Sequence, residues 1–140
     1  MATISYTKEQ PTLFFSGDEY KFFLKLNSID YVTFEENLSK PKNDSCRVVM
    51  TAYFEGTNRK VNMNSTLYDI TKRGIINHGC IHSLGQFIFT RKIVNVAVLG
   101  NALTIAWKGG NSLKFVGSNF KDVVLLYDAI WDQMKMKVVE

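Results

Sequence analysis

Between Gln86 and Val116 the chain alternates apolar and polar positions with a period of two, the signature of half-buried strands. QFIFTR alternates. KIVNVAVL sets Ile93, Asn95 and Ala97 on one side and Val94, Val96 and Val98 on the other. Gly100-Asn101 turns the chain. ALTIAW places Leu103, Ile105 and Trp107 on one face, KGGN supplies a second hairpin turn, and SLKFV points Leu113 and Phe115 inward. After Gly117 the period changes. Phe120, Val123, Val124, Tyr127, Ile130, Trp131 and Met134 recur at helical spacing, which predicts an amphipathic helix to about Lys137 with Asn119 as its N-cap and Asp122 near its positive end.

The first half repeats this order. YKFFLKL alternates, with Phe22, Leu24 and Leu26 on one face and Phe23 and Lys25 on the other. SIDYVTF aligns with KIVNVAV, CRVVMTAYF with ALTIAW, EGTN with KGGN, and KVNM with LKFV. TLYDI aligns with NFKDV, which puts Thr66 at the capping position and predicts a short helix stopped by Gly74. The expected fold class is therefore α+β in one domain, residues 1–140. A β-β-β-β-α unit over 20–74 is joined by a connector, 75–85, to a second such unit over 86–140, giving antiparallel sheets with a short middle helix and a long C-terminal one.

This doubled unit resembles the PC4, Whirly and PUR families in topology, over about Tyr20 to Met136. The resemblance implies two units packed about a real or internal twofold and binding single-stranded DNA or RNA on exposed sheets. A second resemblance is to PH-like domains, a barrel with a C-terminal helix. It implies Trp131 as a core anchor and Lys40, Lys42 and Lys60 as contacts to an anionic lipid or a peptide. The capped TLYDITKRG in mid-chain departs from that plan.

Composition adds a basic bias, 17 Lys+Arg against 13 Asp+Glu for a net charge of +4, and many aromatics: ten Phe, six Tyr and two Trp. A single-strand binder needs cations along the backbone and aromatic faces under the bases. Strand alternation turns Phe23, Lys25, Arg47, Tyr53, Lys60 and Lys114 outward, while Arg59 and Lys108 lie at strand ends, as do Arg91 and Lys92. These residues predict sequence-tolerant binding of single-stranded nucleic acid, without catalysis and without a cofactor. The competing class is a non-catalytic interaction module, a viral or accessory factor or a PH-like domain, that meets a protein or an anionic lipid partner, with exposed aromatics as interface anchors; a homo-oligomer is compatible with either class. Clustered outward cations favour the first class; an apolar patch with dispersed charge favours the second.

One cluster suggests metal chemistry. His78, Cys80 and His82 in HGCIH would share a face if they lay on a strand. The spacing departs from the usual zinc patterns, and a connector with a small buried Cys is the plainer reading. Glu35 and Glu36 read as a solvated pair. No apolar run reaches the length of a transmembrane helix, the N-terminus lacks the pattern of a signal peptide, and two cysteines make no disulfide framework, so the sequence reads as cytoplasmic.

Overall fold

The computed structural model describes residues 3–7, 12–16, 21–83 and 85–139, with side chains from Lys25 to Met134 apart from residue 84. The fold is α+β, as the periodicities predict. Three strands, β1 (Thr3–Thr7), β2 (Thr12–Ser16) and β3 (Lys21–Lys25), form an antiparallel meander of their own. A single 3-10 turn, Leu26–Ser28, leads into β4 (Tyr31–Glu36), β5 (Val48–Phe54) and β6 (Thr57–Met63). Helix α1 (Ser65–His78) follows, then the short β7 (Ile81–Ser83) and β8 (Gln86–Ile88). The chain closes with β9 (Ile93–Leu99), β10 (Ala102–Trp107), β11 (Ser112–Val116) and α2 (Phe120–Val139).

Two further antiparallel sheets, of five and three strands, carry the described core. The first has the order β6-β5-β4-β8-β7 and the second β11-β10-β9, and neither closes into a barrel among the described residues. Both halves thus contain a three-stranded meander followed by a helix. The fourth strands go elsewhere: β3 pairs with β2, and β8, expected to open the second unit, pairs with β4 and β7.

The first sheet is covered on both sides. One face, carrying Val32, Met50, Ala52, Val61 and Phe87, packs with Ile75 of α1 into one core. The other presents Tyr31 and Ile88, which join Ile93, Leu103, Ile105, Trp107 and Phe115 of the second layer and Val123, Leu126 and Ile130 of α2 in another. Leu103, Ile105 and Phe115 face inward as alternation requires. The β9–β10 register shifts between Ala106 and Trp107 of β10, which pair with Asn95 and Ile93, so that Val94 bulges; Ile93 turns inward with Val96 and Val98 while Val94 stays in water.

Both helices differ from their periodicity. Helix α1 is capped by Asn64, whose Oδ1 accepts from the Leu67 N–H at 2.9 Å, and not by Thr66. It runs through Gly74 and ends at Gly79, whose φ of 97° suits glycine. Tertiary burial of Thr71 and Ile75 outweighs the cost of one helical glycine. Asn119 does cap α2, accepting from the Asp122 N–H at 3.0 Å. The buried stripe of α2 is Val123, Leu126 and Ile130, so the helix is rotated away from Phe120 and Trp131, which stay exposed. Among the described residues no helix is long and apolar enough to cross a membrane.

Candidate functional site

The two layers meet at matched hairpin turns. Gly56, in the β5–β6 turn, and Gly109, in the β10–β11 turn, lie so close that a Cβ on Gly56 would stand 2.4 Å from the Gly109 carbonyl oxygen. Beside them Asp30 is fully buried. Its Oδ2 accepts from Asn111 Nδ2 at 3.0 Å, and its Oδ1 lies 3.3 Å from Lys92 Nζ. Asn111 also donates to the Thr57 carbonyl at 3.3 Å, and the Lys108 N–H donates to the Lys92 carbonyl. Asp30 thus has one hydrogen-bond donor, at Oδ2, and a counter-charge beside Oδ1, which accepts no hydrogen bond and depends on the Lys92 charge. Trp107 completes the joint, its indole N–H donating to the Phe89 carbonyl at 2.7 Å.

The predicted contacts divide around this joint. Arg59, Lys60 and Lys108 are exposed, and all three belong to the turns and strand ends that meet there. Lys60 also begins a polar row across the first sheet, where it pairs with Thr51, Thr51 with Thr33, Thr33 with Gln86, and Gln86 with Ser83. Lys114 stands apart on the outer face of the second sheet, in register with Thr104 and Ala97. Lys25 is exposed just before the 3-10 turn.

Two predicted contacts are engaged within the chain. Arg47 sits at the far end of β5 from the joint, and its guanidinium donates to the Lys40 carbonyl at 2.6 Å and to that of Asn37 at 3.3 Å. It staples the long β4–β5 loop. Tyr53 points off the first core as alternation demands, but its ring stacks on Tyr31 at 4.1 Å and 12°, and Tyr31 stacks in turn on Trp107 at 5.2 Å. One face of the Tyr53 ring is covered by Tyr31 of its own sheet, and Trp107 of the second layer covers Tyr31 in turn. Burial, with Tyr53 and Asp30 adding, pushes the Tyr31 hydroxyl up to about 12. The side chain of Phe23 lies outside the described residues.

HGCIH does not form a strand face. His78 ends α1, Gly79 turns the chain, and only His82 lies in β7, where its ring stacks on Phe87 at 4.1 Å. His78 lies beside Phe89, and burial raises the Cys80 thiol to about 11. Among the described residues no three His, Cys, Asp or Glu side chains gather as metal ligands would. A cavity of about 380 Å³ between β7 and α2 is lined by His82, Asp122, Phe115 and Leu125 among others, and one of about 260 Å³ lies between His78, Arg91 and Gln133.

Sequence reasoning missed the side of the second layer. Phe120 is 58% exposed, Trp131 40% and Leu99 86%, with Val94, Val116 and Leu125 also in water. On the outer face, Val116 and Leu99 flank Ala102 in one cross-strand row, and Lys114 is the sole charged residue among β9, β10 and β11. The signal was present: IVNVAVL and ALTIAW contain no charged residue on either face. Comparison with protein-family models, curated proteins and solved structures finds no match to this chain.

Proposed function

We propose that this chain is a non-catalytic interaction module that meets a protein through the side of its second layer. The observation that carries the reading is the set of exposed apolar side chains on the uncharged strand β9 and on the flank of α2 that bears Phe120 and Trp131. Phe120 and Trp131 alone leave roughly 200 Å² of aromatic surface in water, and their neighbours extend it to the few hundred Å² that on a monomer mark an interaction site. Two of the side chains a single-strand binder would use are engaged within the chain, one ring face of Tyr53 by Tyr31 and the guanidinium of Arg47 by the Lys40 carbonyl, which supports this reading over that one.

A photo-reactive amino acid at Phe120, compared with one at Lys60, tests the reading inside cells. Adducts with protein at position 120 and none at position 60 are the expected result. Adducts with nucleic acid at position 60 and none with protein at position 120 would overturn it.

A second reading, single-stranded nucleic acid binding, is favoured by Arg59, Lys60 and Lys108 around the joint and by the polar row that starts at Lys60. It predicts salt-sensitive anisotropy of a labelled single strand that Lys60→Ala and Lys108→Ala weaken together.

A further inference from the structure

We infer that the partner at this surface is a second copy of the chain, joined edge to edge along β9 about a twofold axis at Ala97. The inference rests on the interaction reading above and names its partner.

Strand β9 pairs only with β10 among the described residues, so its other edge is open. Monomeric proteins blunt such edges with charge, proline or a bulge. Here the bulge sits at Val94, and the regular stretch Asn95–Leu99 has neither charge nor proline. That stretch is self-complementary. An antiparallel pair centred on Ala97 sets Val96 against Val98 of the other copy on the helix-covered face. On the outer face Ala97 meets Ala97, two small side chains where two copies approach most closely. Isologous pairing of this kind closes after two subunits and leaves no growing end.

Helix α2 extends the same wall. It follows β11, and Gln133 accepts from the Thr90 hydroxyl just before β9, so α2 runs back antiparallel to β11. One flank of α2, with Asp122, Leu125 and Ala129, faces β7 and β11 across the larger cavity. At about 100° per residue, Phe120, Val124, Tyr127 and Trp131 form the opposite flank, above the β9 edge. Phe120 lies at the level of Leu99, and Trp131, about 16 Å further along the helix, at the level of Val94. Strand and helix together make a wall on the order of 500 Å² in projection, close to the low end of what one partner buries in a specific complex, about 600 Å².

Charge fits the same axis. The twofold makes the two copies of α2 antiparallel neighbours on one face of a six-stranded sheet. Lys121 then falls opposite a point roughly seven helical residues along the other copy, at the level of its Asp128 and one turn short of its Asp132. All three are exposed and rim the apolar flank, in which Val124 lies at the axis and Phe120 meets Trp131 of the other copy on either side of it.

Sedimentation velocity of the whole chain from low micromolar to near-millimolar concentration tests the inference. The expected result is a monomer–dimer equilibrium, with tryptophan emission shifting to shorter wavelength as Trp131 is covered. Ala97→Lys sets two cations against each other at the axis and should weaken association about 100-fold with an unchanged circular dichroism spectrum. Lys121→Asp should weaken it about tenfold, and adding Asp128→Lys and Asp132→Lys should restore it. A chain that stays monomeric throughout, or a dimer indifferent to Ala97→Lys, overturns the inference. If the monomer still forms adducts with another protein at position 120, only the identity of the partner is wrong. If it forms none, the interaction reading fails as well.

Discussion

The edge strands β6 and β9 can be compared directly, because each borders a sheet and follows the same alternation. β6 reads TNRKVNM, with Asn58, Arg59, Lys60 and Asn62 in water and Val61 and Met63 buried. β9 reads IVNVAVL and exposes Val94, Asn95, Ala97 and Leu99. The first edge is what natural sheets leave beside solvent, since desolvating Arg59 and Lys60 would oppose any strand that docked there. The second lacks that protection. One chain thus shows that it can write a solvated edge, and that it has not done so along β9.

The largest effect is expected where the two sheets are joined. Lys92→Met leaves Asp30 buried without its counter-charge and should cost about 4 kcal/mol in denaturant unfolding. A loss under about 1 kcal/mol would mean that the layers do not depend on this pair. Gly56→Ala comes next. The new Cβ would run into Gly109, and φ at this position is +77°, so the expected loss is about 3 kcal/mol.

Alkaline titration weighs the first sheet's buried side. The Cys80 thiol, ordinarily near 9.0, is held at about 11, and the Tyr31 hydroxyl, ordinarily near 10.0, at about 12. Both raised values favour the neutral form in the folded chain. Their contribution is whole below about pH 9, falls as the unfolded thiol and then the unfolded hydroxyl ionise, and is gone above about pH 12. Urea midpoints should be flat from pH 7 to about 9 and decline beyond; a midpoint that held to pH 11 would show that neither group is buried as described. The smallest effect separates the two edges. Lys60→Val should change unfolding by no more than about 0.5 kcal/mol yet lower the temperature at which light scattering rises, because it makes β6 resemble β9.

Much of this was legible in the chain. The meander of β9, β10 and β11, its inward Leu103, Ile105, Trp107 and Phe115, and a long C-terminal helix follow from a period of two that changes once. Alternation also sent Tyr53 away from the first core. It gives parity only, and it is silent on what lies over the outward face, where Tyr31 and Trp107 were waiting. The destination of β8 was hidden for a related reason, since QFI is equally suited to β4 or β9 and the choice is made by distant backbone. Gly74 misled because a glycine between Thr71 and Ile75 costs less than those two contacts return. HGCIH promised one face only while Gly79 was assumed to be extended.

The placement of β8 bears on synthesis. The first sheet needs Gln86–Ile88 between β4 and β7, although β4, β5, β6 and α1 are all complete by residue 78. On the ribosome, β4 therefore waits with one side unpaired until the segment through Ile88 has cleared the exit tunnel. A nascent chain halted soon after α1 is expected to be open to protease, and resistance is expected to appear once β8 is out, well before α2 is made.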